Sequence, residues 1–447
     1  MTHAIILKFG GTSVSSAKNI QTIVDIVKTA KHKNPILVVS ALSGITDLLL
    51  SLKSATPKEA KTVISTICAK HKELIQQLWH DKKSEAIVLS YLEVQLDNIA
   101  KLLLQKKRDK AWTDAMISHG EILSSYIISK WLVDCGIASE QVVASRIIVT
   151  DTLFGNAEFL VGPTRKKTNA ILQPLITKKI VPVVTGFIGA TRDGKITTFG
   201  RGGSDYSASI IGFAIGASEI QIWTDVNGIY TADPRIVKTV HLISVISYKE
   251  ASELASFGAK VLHPRTLKPV IFANVPLRVL NTFNPQGKGT LVTKIAEIKN
   301  PITAISHKKK VTMVNIYAIE MLHQKGFLAR VYDIFAKNNI SVDLVSSSEV
   351  SESIVLDNDE NLSIAVEQIS KFAHVTVKKD VGMVSLIGEG IVAKTKTIKE
   401  IFEVLDQENI LVNMVSLGAI DINVSLVIQS DQVEKAVNAL HKNFFTL

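Results

Sequence analysis

Near the start of the chain, Lys8-Phe9-Gly10-Gly11-Thr12-Ser13 gathers a cation, two adjacent glycines and two hydroxyl residues in one stretch. Paired glycines let a backbone turn sharply and approach a ligand closely. A helix starting just beyond them aims free N–H groups at an anion, and Lys8 adds a mobile charge, so the stretch suits a phosphate. It is neither a Walker loop, where lysine follows the second glycine of a longer loop, nor GxGxxG. Gly200-Arg201-Gly202-Gly203-Ser204-Asp205 also precedes a helical stretch, Tyr206 to Gly216, and is a second candidate anion cradle. Ser40-Ala41-Leu42-Ser43-Gly44-Ile45-Thr46 is another small-residue turn, ahead of a helix starting near Asp47. Thr224-Asp225-Val226-Asn227-Gly228-Ile229-Tyr230 follows a strand read over Glu219 to Trp223, its Asn-Gly marking a tight turn. Taken singly these residues have plain readings. Lys8 is a surface cation, Glu121 a helix-terminal charge worth about 0.3–1 kcal/mol, Arg235 a turn residue and Lys260 a solvated helix end. Their joint placement after strand ends argues for a site. His119 reads as a packing or helix-terminal histidine, and Cys68 and Cys135 as core or surface thiols.

The elements that must carry these residues alternate. Ala4-Ile5-Ile6-Leu7 and Pro35-Ile36-Leu37-Val38-Val39-Ser40 are apolar runs of buried parallel strands. Between them Ile20, Ile23, Val24 and Val27 mark one side of a helix. Residues 58–134 are long helical periods; 146–150 and 180–187 read as further parallel strands; Arg192-Asp193-Gly194-Lys195 is a hairpin turn. Glu250 to Lys260 reads as helix, with His263-Pro264 beyond, and residues 283–290 as a Pro/Gly-rich loop. This alternation predicts an α/β, doubly wound, mainly parallel sheet with ligands at the strand C-termini. The large domain is expected to span 1–298, with Asn300-Pro301 as punctuation.

The last third repeats itself. At one constant offset Met313-Val314 matches Met383-Val384, Asn339-Ile340 matches Asn409-Ile410, and Val342, Val345 and Ser346 match Val412, Val415 and Ser416. Each copy reads strand, helix, strand, strand, helix. The first adds a strand over His374 to Val377; the second lacks one, and Ile302-Thr303-Ala304-Ile305-Ser306 is available to fill the gap. Two small α+β modules are therefore expected, the first over 310–379 and the second over 299–309 with 380–447.

Composition sets further bounds. The 447 residues carry 51 Lys and Arg against 41 Asp and Glu, a formal charge of +10. The lysines are scattered, with short clusters at Lys106-Lys107-Arg108 and Lys308-Lys309-Lys310, and no aromatic interleaving or zinc spacing accompanies them. Nucleic acid is not the expected partner. Two cysteines give no disulfide framework and point to a reducing compartment. No leader and no spanning apolar run is read, so the expectation is a soluble cytoplasmic protein without a membrane partner.

Five stretches together resemble aspartate kinase: Lys8-Phe9-Gly10-Gly11-Thr12-Ser13, Ser118-His119-Gly120-Glu121, Gly200-Arg201-Gly202-Gly203-Ser204-Asp205, Trp223-Thr224-Asp225-Val226-Asn227-Gly228-Ile229-Tyr230 and Phe257-Gly258-Ala259-Lys260-Val261-Leu262-His263-Pro264. They occur in order over nearly the whole first domain. The tail resembles the paired ACT modules of the same enzymes. Met321-Leu322-His323-Gln324-Lys325-Gly326-Phe327-Leu328 looks like the lysine-sensitive, single-function branch, and no dinucleotide fingerprint follows the repeats, so no fused homoserine dehydrogenase is expected. The resemblance implies an amino-acid-kinase fold followed by two ferredoxin-like ACT domains. It implies ATP-dependent phosphorylation of the side-chain carboxylate of L-aspartate to 4-phospho-L-aspartate, the first step of lysine, threonine and methionine biosynthesis. That carboxylate has an ordinary pKa of about 3.9 and is ionised at neutral pH, so no general base is needed; positioning and charge neutralisation are.

By the same resemblance Lys8 stabilises the transferring phosphoryl group with the Gly10 and Gly11 loop. Arg201 grips the substrate α-carboxylate with its planar fork, and Glu121 accepts the substrate ammonium. Asp205 helps with the ammonium or orients Lys8. Ser40, Thr46 and Phe187 belong to the substrate site. The nucleotide lies against Ser204, Thr224, Asp225, Tyr230, Arg235 and Lys260, with Asp225 facing either the ribose or the metal shell. Mg2+ arrives with ATP, and no dedicated protein metal site is expected. The implied partners are an amino-acid effector, foremost lysine, and a second copy of the chain, as a homodimer or dimer of dimers through the ACT modules, which would cover open sheet edges.

The effector is placed on the first repeat. There Gly326-Phe327-Leu328 opens a helix where a carboxylate meets free N–H groups, and Asp343 in the following strand can pair with an ammonium; Lys396, Thr397, Ile398 and Asn413 stand at the matching positions of the second copy. Met321, Ser341, Val342, Ser348 and Glu349 match the lysine-sensitive pattern nearby, which Val355 departs from where a hydroxyl is expected. Two rivals stand beside this reading. One is another amino-acid kinase, acting on glutamate, acetylglutamate, carbamate or a nucleoside monophosphate. The other is a non-catalytic amino-acid sensor, against which Lys8, Arg201 and Asp205 together speak.

Overall fold

The apolar runs become strands buried on both faces. β1 (Ile5–Phe9) and β2 (Pro35–Val39) are buried at every position, and they pair in parallel from Ile5–Pro35 to Phe9–Val39. The computed structural model describes residues 4–258, 261–296, 300–322, 324–417 and 422–445. Around the first pair β3 (Ser139–Val142), β4 (Val181–Thr185), β7 (Glu219–Thr224), β8 (Val245–Ser247), β9 (Leu277–Asn281) and β10 (Thr290–Thr293) complete an eight-stranded sheet, in the order β3-β4-β2-β1-β7-β9-β10-β8. All its pairings are parallel except β9 with β10. β5 (Ile188–Ala190) and β6 (Ile196–Thr198) form the separate hairpin predicted at Arg192 to Lys195. The α/β sheet is therefore mixed and mainly parallel, and β1 sits between β2 and β7 with its C-terminal end among several loops.

The helices follow their local signals. Ala17–Ala30 starts where the Ser16 hydroxyl accepts from Asn19 N–H, and it buries Ile20, Ile23, Val24 and Val27. Pro57–Leu78 opens with a capping box of Thr56 and Glu59. Gly203–Ile215 begins three residues before the predicted start and stops where Gly216 turns left-handed. The helix expected near Asp47 starts at Ile45. The helix expected over Glu250 to Lys260 covers Tyr248–Ser256.

One strand expectation fails. Residues 146–150 do not form a strand; Ala144–Arg146 is a 3-10 turn, and Val149 and Thr150 make isolated bridges to Ala190 and Phe159. The backbone there divides among partners: Val149 N–H donates to the Thr164 hydroxyl at 3.0 Å, Thr150 N–H to Ala190 O at 2.8 Å, and Val149 O accepts from Leu160 N–H at 2.7 Å, so no continuous ladder forms. The edge of the sheet is instead β3, whose Ser-Glu-Gln-Val sequence is largely uncovered and has no apolar run to announce it.

The chain sorts into two compact units. One comprises Met1–Ile229, Ser244–Tyr248 and Val261–Ala296; the other comprises Tyr230–Ile243, Lys249–Lys260 and Glu297–Leu447. The boundary expected at residue 298 falls outside the described residues. In the second unit β11 (Ala304–Tyr317), β12 (Leu344–Ser347), β13 (Ser351–Leu356), β14 (His374–Ile387), β15 (Val412–Leu417) and β16 (Asn423–Gln429) form one sheet in the order β12-β13-β11-β14-β16-β15. The two repeats share its central strands. The far half of β11 pairs with β13 and the start of β14, while its near half, Ala304 to Lys308, pairs with Ile387 to Met383. The spare strand at 302–306 thus completes the second module, as expected, but as the front of a continuous strand. Val314, Phe335 and Ile354 are among the core of the first module, and Ile401, Leu426 and Leu440 among that of the second. Among the described residues no helix is long and apolar enough to cross a membrane.

Candidate functional site

Lys8 is the penultimate residue of β1, and its side chain is only 10% exposed. Its ammonium meets Asp205 Oδ1 at 2.6 Å, an ion pair that ties the end of β1 to the first turn of the helix Gly203–Ile215. A Cβ built on Gly10 would stand 3.4 Å from Lys8 Nζ, and one on Gly11 would stand 3.0 Å from Ala41 O. The two glycines therefore bring the backbone after β1 against the backbone after β2, an approach a side chain at Gly11 would block. Ser40 N–H donates to Phe9 O at 3.1 Å, which fixes the Ser40–Thr46 turn beside the glycines.

Glu121 closes the same region from the other side. It lies in the first turn of the helix His119–Asp134, is 3% exposed, and its Oε1 accepts from Ala41 N–H at 3.2 Å. Its other oxygen is buried with no hydrogen-bond partner among the described residues. Burial pushes the carboxyl up from 4.5 to about 8, against the opposing pull of the Ala41 N–H. Gly120 makes this fit possible, because a Cβ there would come within 2.7 Å of the Ala41 methyl. A buried carboxylate with a free oxygen is poised for a cation, and the ammonium of an amino acid is one.

The second glycine cluster carries the remaining charge. Gly202 holds φ +72 as the N-cap of Gly203–Ile215, and it lies against the His263 side chain, where a Cβ would come to 2.6 Å from the His263 Cβ. Gly203 packs on the Phe187 ring, Phe187 itself being left-handed at φ +67, and Gly186 packs on Ser204. Arg201 stands exposed on the turn ahead of this helix. His263 Nδ1 accepts from Arg265 N–H, and burial, with Arg265 and Arg201 nearby, holds its pKa below the usual 6.5. His119 is a packing residue, as read: it is buried, bonds Gln95 at 2.9 Å, and burial depresses it to about 4.

The other expected nucleotide residues divide. Thr224 ends β7 beside β1, and its hydroxyl donates to Asp225 Oδ1 at 3.2 Å. Tyr230 and Arg235 belong to the second compact unit, where the Arg235 guanidinium is closed on Asp233 at 2.6 Å. Lys260 lies outside the described residues. Among the described residues no group of three or more His, Cys, Asp or Glu is arranged to hold a metal by itself.

In the first repeat Gly326 (φ +86) caps the helix Phe327–Lys337, with Phe327 buried and Leu328 at the surface. Asp343 stands just before β12 rather than in it, because β12 starts at Leu344, and its carboxylate is paired with Lys308 Nζ at 3.0 Å. Met321 ends a 3-10 turn, Ser341 and Val342 lie in the loop before Asp343, and Ser348 and Glu349 lie on the β12–β13 turn, where the Ser348 and Ser351 hydroxyls meet at 2.6 Å. Val355 is fully buried in β13 opposite Met313 and Leu344.

Sequence reasoning missed three supports. Ser13 and Thr282 share a buried hydroxyl pair at 2.8 Å that joins the loop after β1 to the end of β9. Asp114 is 1% exposed and receives Thr198 N–H, Thr198 O–H and Gly155 N–H, each at 2.8 Å. The signal for Asp114 was an acidic residue between Trp112 and Met116 on a buried helix face. Arg265, just after His263-Pro264, is the third.

Comparison with known proteins adds independent findings. The model of the amino acid kinase family matches residues 3–281, and that of the ACT domain matches residues 384–444. Aspartokinase 1, chloroplastic, from Arabidopsis thaliana is 35% identical over 98% of this chain and 80% of its own length. Lysine-sensitive aspartokinase 3 from Escherichia coli (strain K12) is 33% identical over 100% of both chains. The structure of E. coli aspartokinase III in complex with aspartate and ADP, an R-state, superposes with a TM-score of 0.87 at 33% identity, covering 99% of this chain and 100% of that one. The T-state of the same protein with lysine and aspartate gives 0.84, covering 99% of each.

The Glu121 carboxyl yields a stability test. Folded, it keeps its proton up to about pH 8; unfolded, it releases it near 4.5. Across that window the unfolded state binds fewer protons, so stability falls as pH rises. In ligand-free thermal melts Glu121→Gln should therefore have a higher Tm than the parent at about pH 9 and nearly the same Tm at about pH 4.5. A Tm difference that does not change between the two would show a carboxyl ionised throughout.

Proposed function

Because the chain belongs to the aspartokinase family and is an aspartate kinase, we propose that its residues divide the transfer of the ATP γ-phosphoryl group to the side-chain carboxylate of L-aspartate as follows. Lys8 neutralises charge on the transferring group, and Gly10 and Gly11 offer backbone N–H donors beside it. Asp205, paired with Lys8 at 2.6 Å, orients that ammonium. Glu121 receives the substrate ammonium on its unpartnered oxygen. Arg201, exposed on its glycine turn, takes the α-carboxylate, and Ser40, Thr46 and Phe187 line the rest of the aspartate site. Ser204, Thr224, Asp225, Tyr230, Arg235 and Lys260 serve the nucleotide. Mg2+ comes with ATP, held by phosphates and water. The product is 4-phospho-L-aspartate, at the head of lysine, threonine and methionine synthesis, and the enzyme works in the cytoplasm.

The observation that carries this reading is the buried Lys8–Asp205 pair at the double-glycine turn, with the Glu121 carboxyl open beside the neighbouring Ala41 turn. A substrate without a free ammonium leaves Glu121 unanswered, which disfavours acetylated and nucleotide acceptors. A non-catalytic sensor has no use for a buried lysine held at a strand end.

We further propose feedback inhibition by lysine at the first repeat, with the effector carboxylate at the Gly326–Leu328 helix start and its ammonium at Asp343. Met321, Ser341, Val342, Ser348 and Glu349 surround it. The subunits associate through the ACT modules as a homodimer or a dimer of dimers, covering the open edges β12 and β15.

Hydroxylamine trapping of the acyl phosphate should give aspartyl hydroxamate with ATP and aspartate, and Lys8→Ala should lower kcat by about 10²–10³ while melting like the parent. A near-normal rate would reduce Lys8 to a surface cation. Light scattering at about micromolar concentration should find a dimer or tetramer; a monomer alone would contradict the assembly. Lysine, titrated beside threonine, methionine and diaminopimelate, should inhibit the parent, and Asp343→Ala should need about tenfold more or greater, the loss of a charged contact. Equal sensitivity of the variant, or inhibition by none of the four, would remove the effector from this site.

A further inference from the structure

We propose that Arg265 is a positioning residue for aspartate: it holds the turn that presents Arg201, and so sets substrate affinity without touching substrate. The inference rests on the reading that Arg201 takes the α-carboxylate.

The geometry is specific. Arg265 follows Pro264 at the start of the helix Pro264–Ala273, and its side chain is 20% exposed. One guanidinium nitrogen donates to Phe199 O at 2.7 Å and to Asn156 Oδ1; the other donates to Ala157 O at 2.6 Å and to Glu158 Oε1 at 3.2 Å. The guanidinium carbon also stands 4.7 Å over the Tyr206 ring, whose hydroxyl donates to Glu158 Oε2 at 2.8 Å. Phe199 lies two residues before Arg201 and Tyr206 one residue after Asp205, so one planar cation grips both ends of the segment that carries the two charges.

The same segment is held from elsewhere by Asp114, which binds Thr198 and Gly155, and by the close approach of Gly200 to Gly155 O, where a Cβ would come to 2.9 Å. Gly200 and Gly202 are both left-handed, at φ +71 and +72. A turn with two such glycines has many accessible shapes when it is not tied, so its single shape must come from outside. Asp114 fixes the strand that enters the turn. Arg265 reaches both the backbone just before the turn and the ring just after it. Two carbonyls, a carboxamide, a carboxylate and an aromatic face are a set that a fork-shaped guanidinium matches and a lysine ammonium does not.

A loosened turn leaves Arg201 charged but misaimed. Loss of aim weakens aspartate binding far more than nucleotide binding, because Arg201 stands on the left-handed glycine turn while Ser204 and Asp205 sit inside the helix Gly203–Ile215. The experiment compares Arg265→Ala, Arg265→Lys and Arg201→Ala in steady-state kinetics of the full-length enzyme, varying aspartate and ATP separately. Arg265→Ala should raise the aspartate KM about tenfold or more with the ATP KM within about twofold. Arg265→Lys should share the defect, because charge without the fork is not enough. Guanidinium at about millimolar concentration should restore much of the aspartate KM of Arg265→Ala by refilling the vacated site, and should do nothing for Arg201→Ala or for the parent. Should Arg265→Ala fail to fold, Arg265→Lys carries the same KM comparison.

An unchanged aspartate KM in the Arg265 variants, beside a raised one in Arg201→Ala, overturns the positioning role and spares the Arg201 reading. Equal rises in both KM values, or no rescue by guanidinium, mark Arg265 as a structural tie only. An unchanged aspartate KM in Arg201→Ala overturns the premise and the proposal with it.

Discussion

Taking Lys8 out of water is the constraint around which the first unit is arranged. A buried ammonium is costly unless a counter-charge and good geometry meet it. Asp205 meets it at 2.6 Å, and this fixes where the helix Gly203–Ile215 must begin relative to the end of β1. A well-packed apolar pair would serve stability as well or better. An ion pair kept at the C-terminal end of a central parallel strand, next to two glycines, is therefore best understood as a charge held ready for an anion. The surrounding choices follow from it. Gly10 leaves room beside the ammonium, and Gly11 lets the loop after β1 lie against Ala41.

The Ala41 backbone then becomes the shared wall of the site. Gly11 approaches its carbonyl, Gly120 its methyl, and Glu121 receives its N–H. This leaves the other carboxyl oxygen without a hydrogen-bond partner among the described residues, and burial holds the acid protonated near neutral pH. An arriving ammonium changes that balance, since a cation beside the carboxyl favours its ionised form.

The second unit solves a different problem. The chain runs β11 and β14 through both modules, so the two repeats share one sheet. Irregular pairing between Lys308 and Met313 lets the long strands bend as they pass from one module to the other. Leu344, Val355, Met383, Met414 and Val427 fill the layer where the modules join.

What the sequence determined by itself was local or periodic. The buried strands were legible as apolar runs, the first helix as the spacing of Ile20, Ile23, Val24 and Val27, and the repeats as constant register. The completion of the second repeat was legible too, because it lacked a strand that Ile302–Ser306, ahead of the first repeat, was available to supply. Only the tertiary structure decided the rest. The polar edge strand β3 has no apolar pattern, since an edge need not be covered, and within residues 146–150 the backbone groups divide among the Thr164 hydroxyl, Ala190 and Leu160 instead of forming a ladder. Ser13 with Thr282, Asp114 with Gly155 and Thr198, and Arg265 with Phe199 are pairs separated by long stretches of sequence. Their meaning lies in the partner, and a partner is set by how the layers pack. The depth at which Glu121 is buried belongs with them: the sequence names a carboxyl, and only the packing around it raises its pKa and leaves one oxygen waiting for a cation.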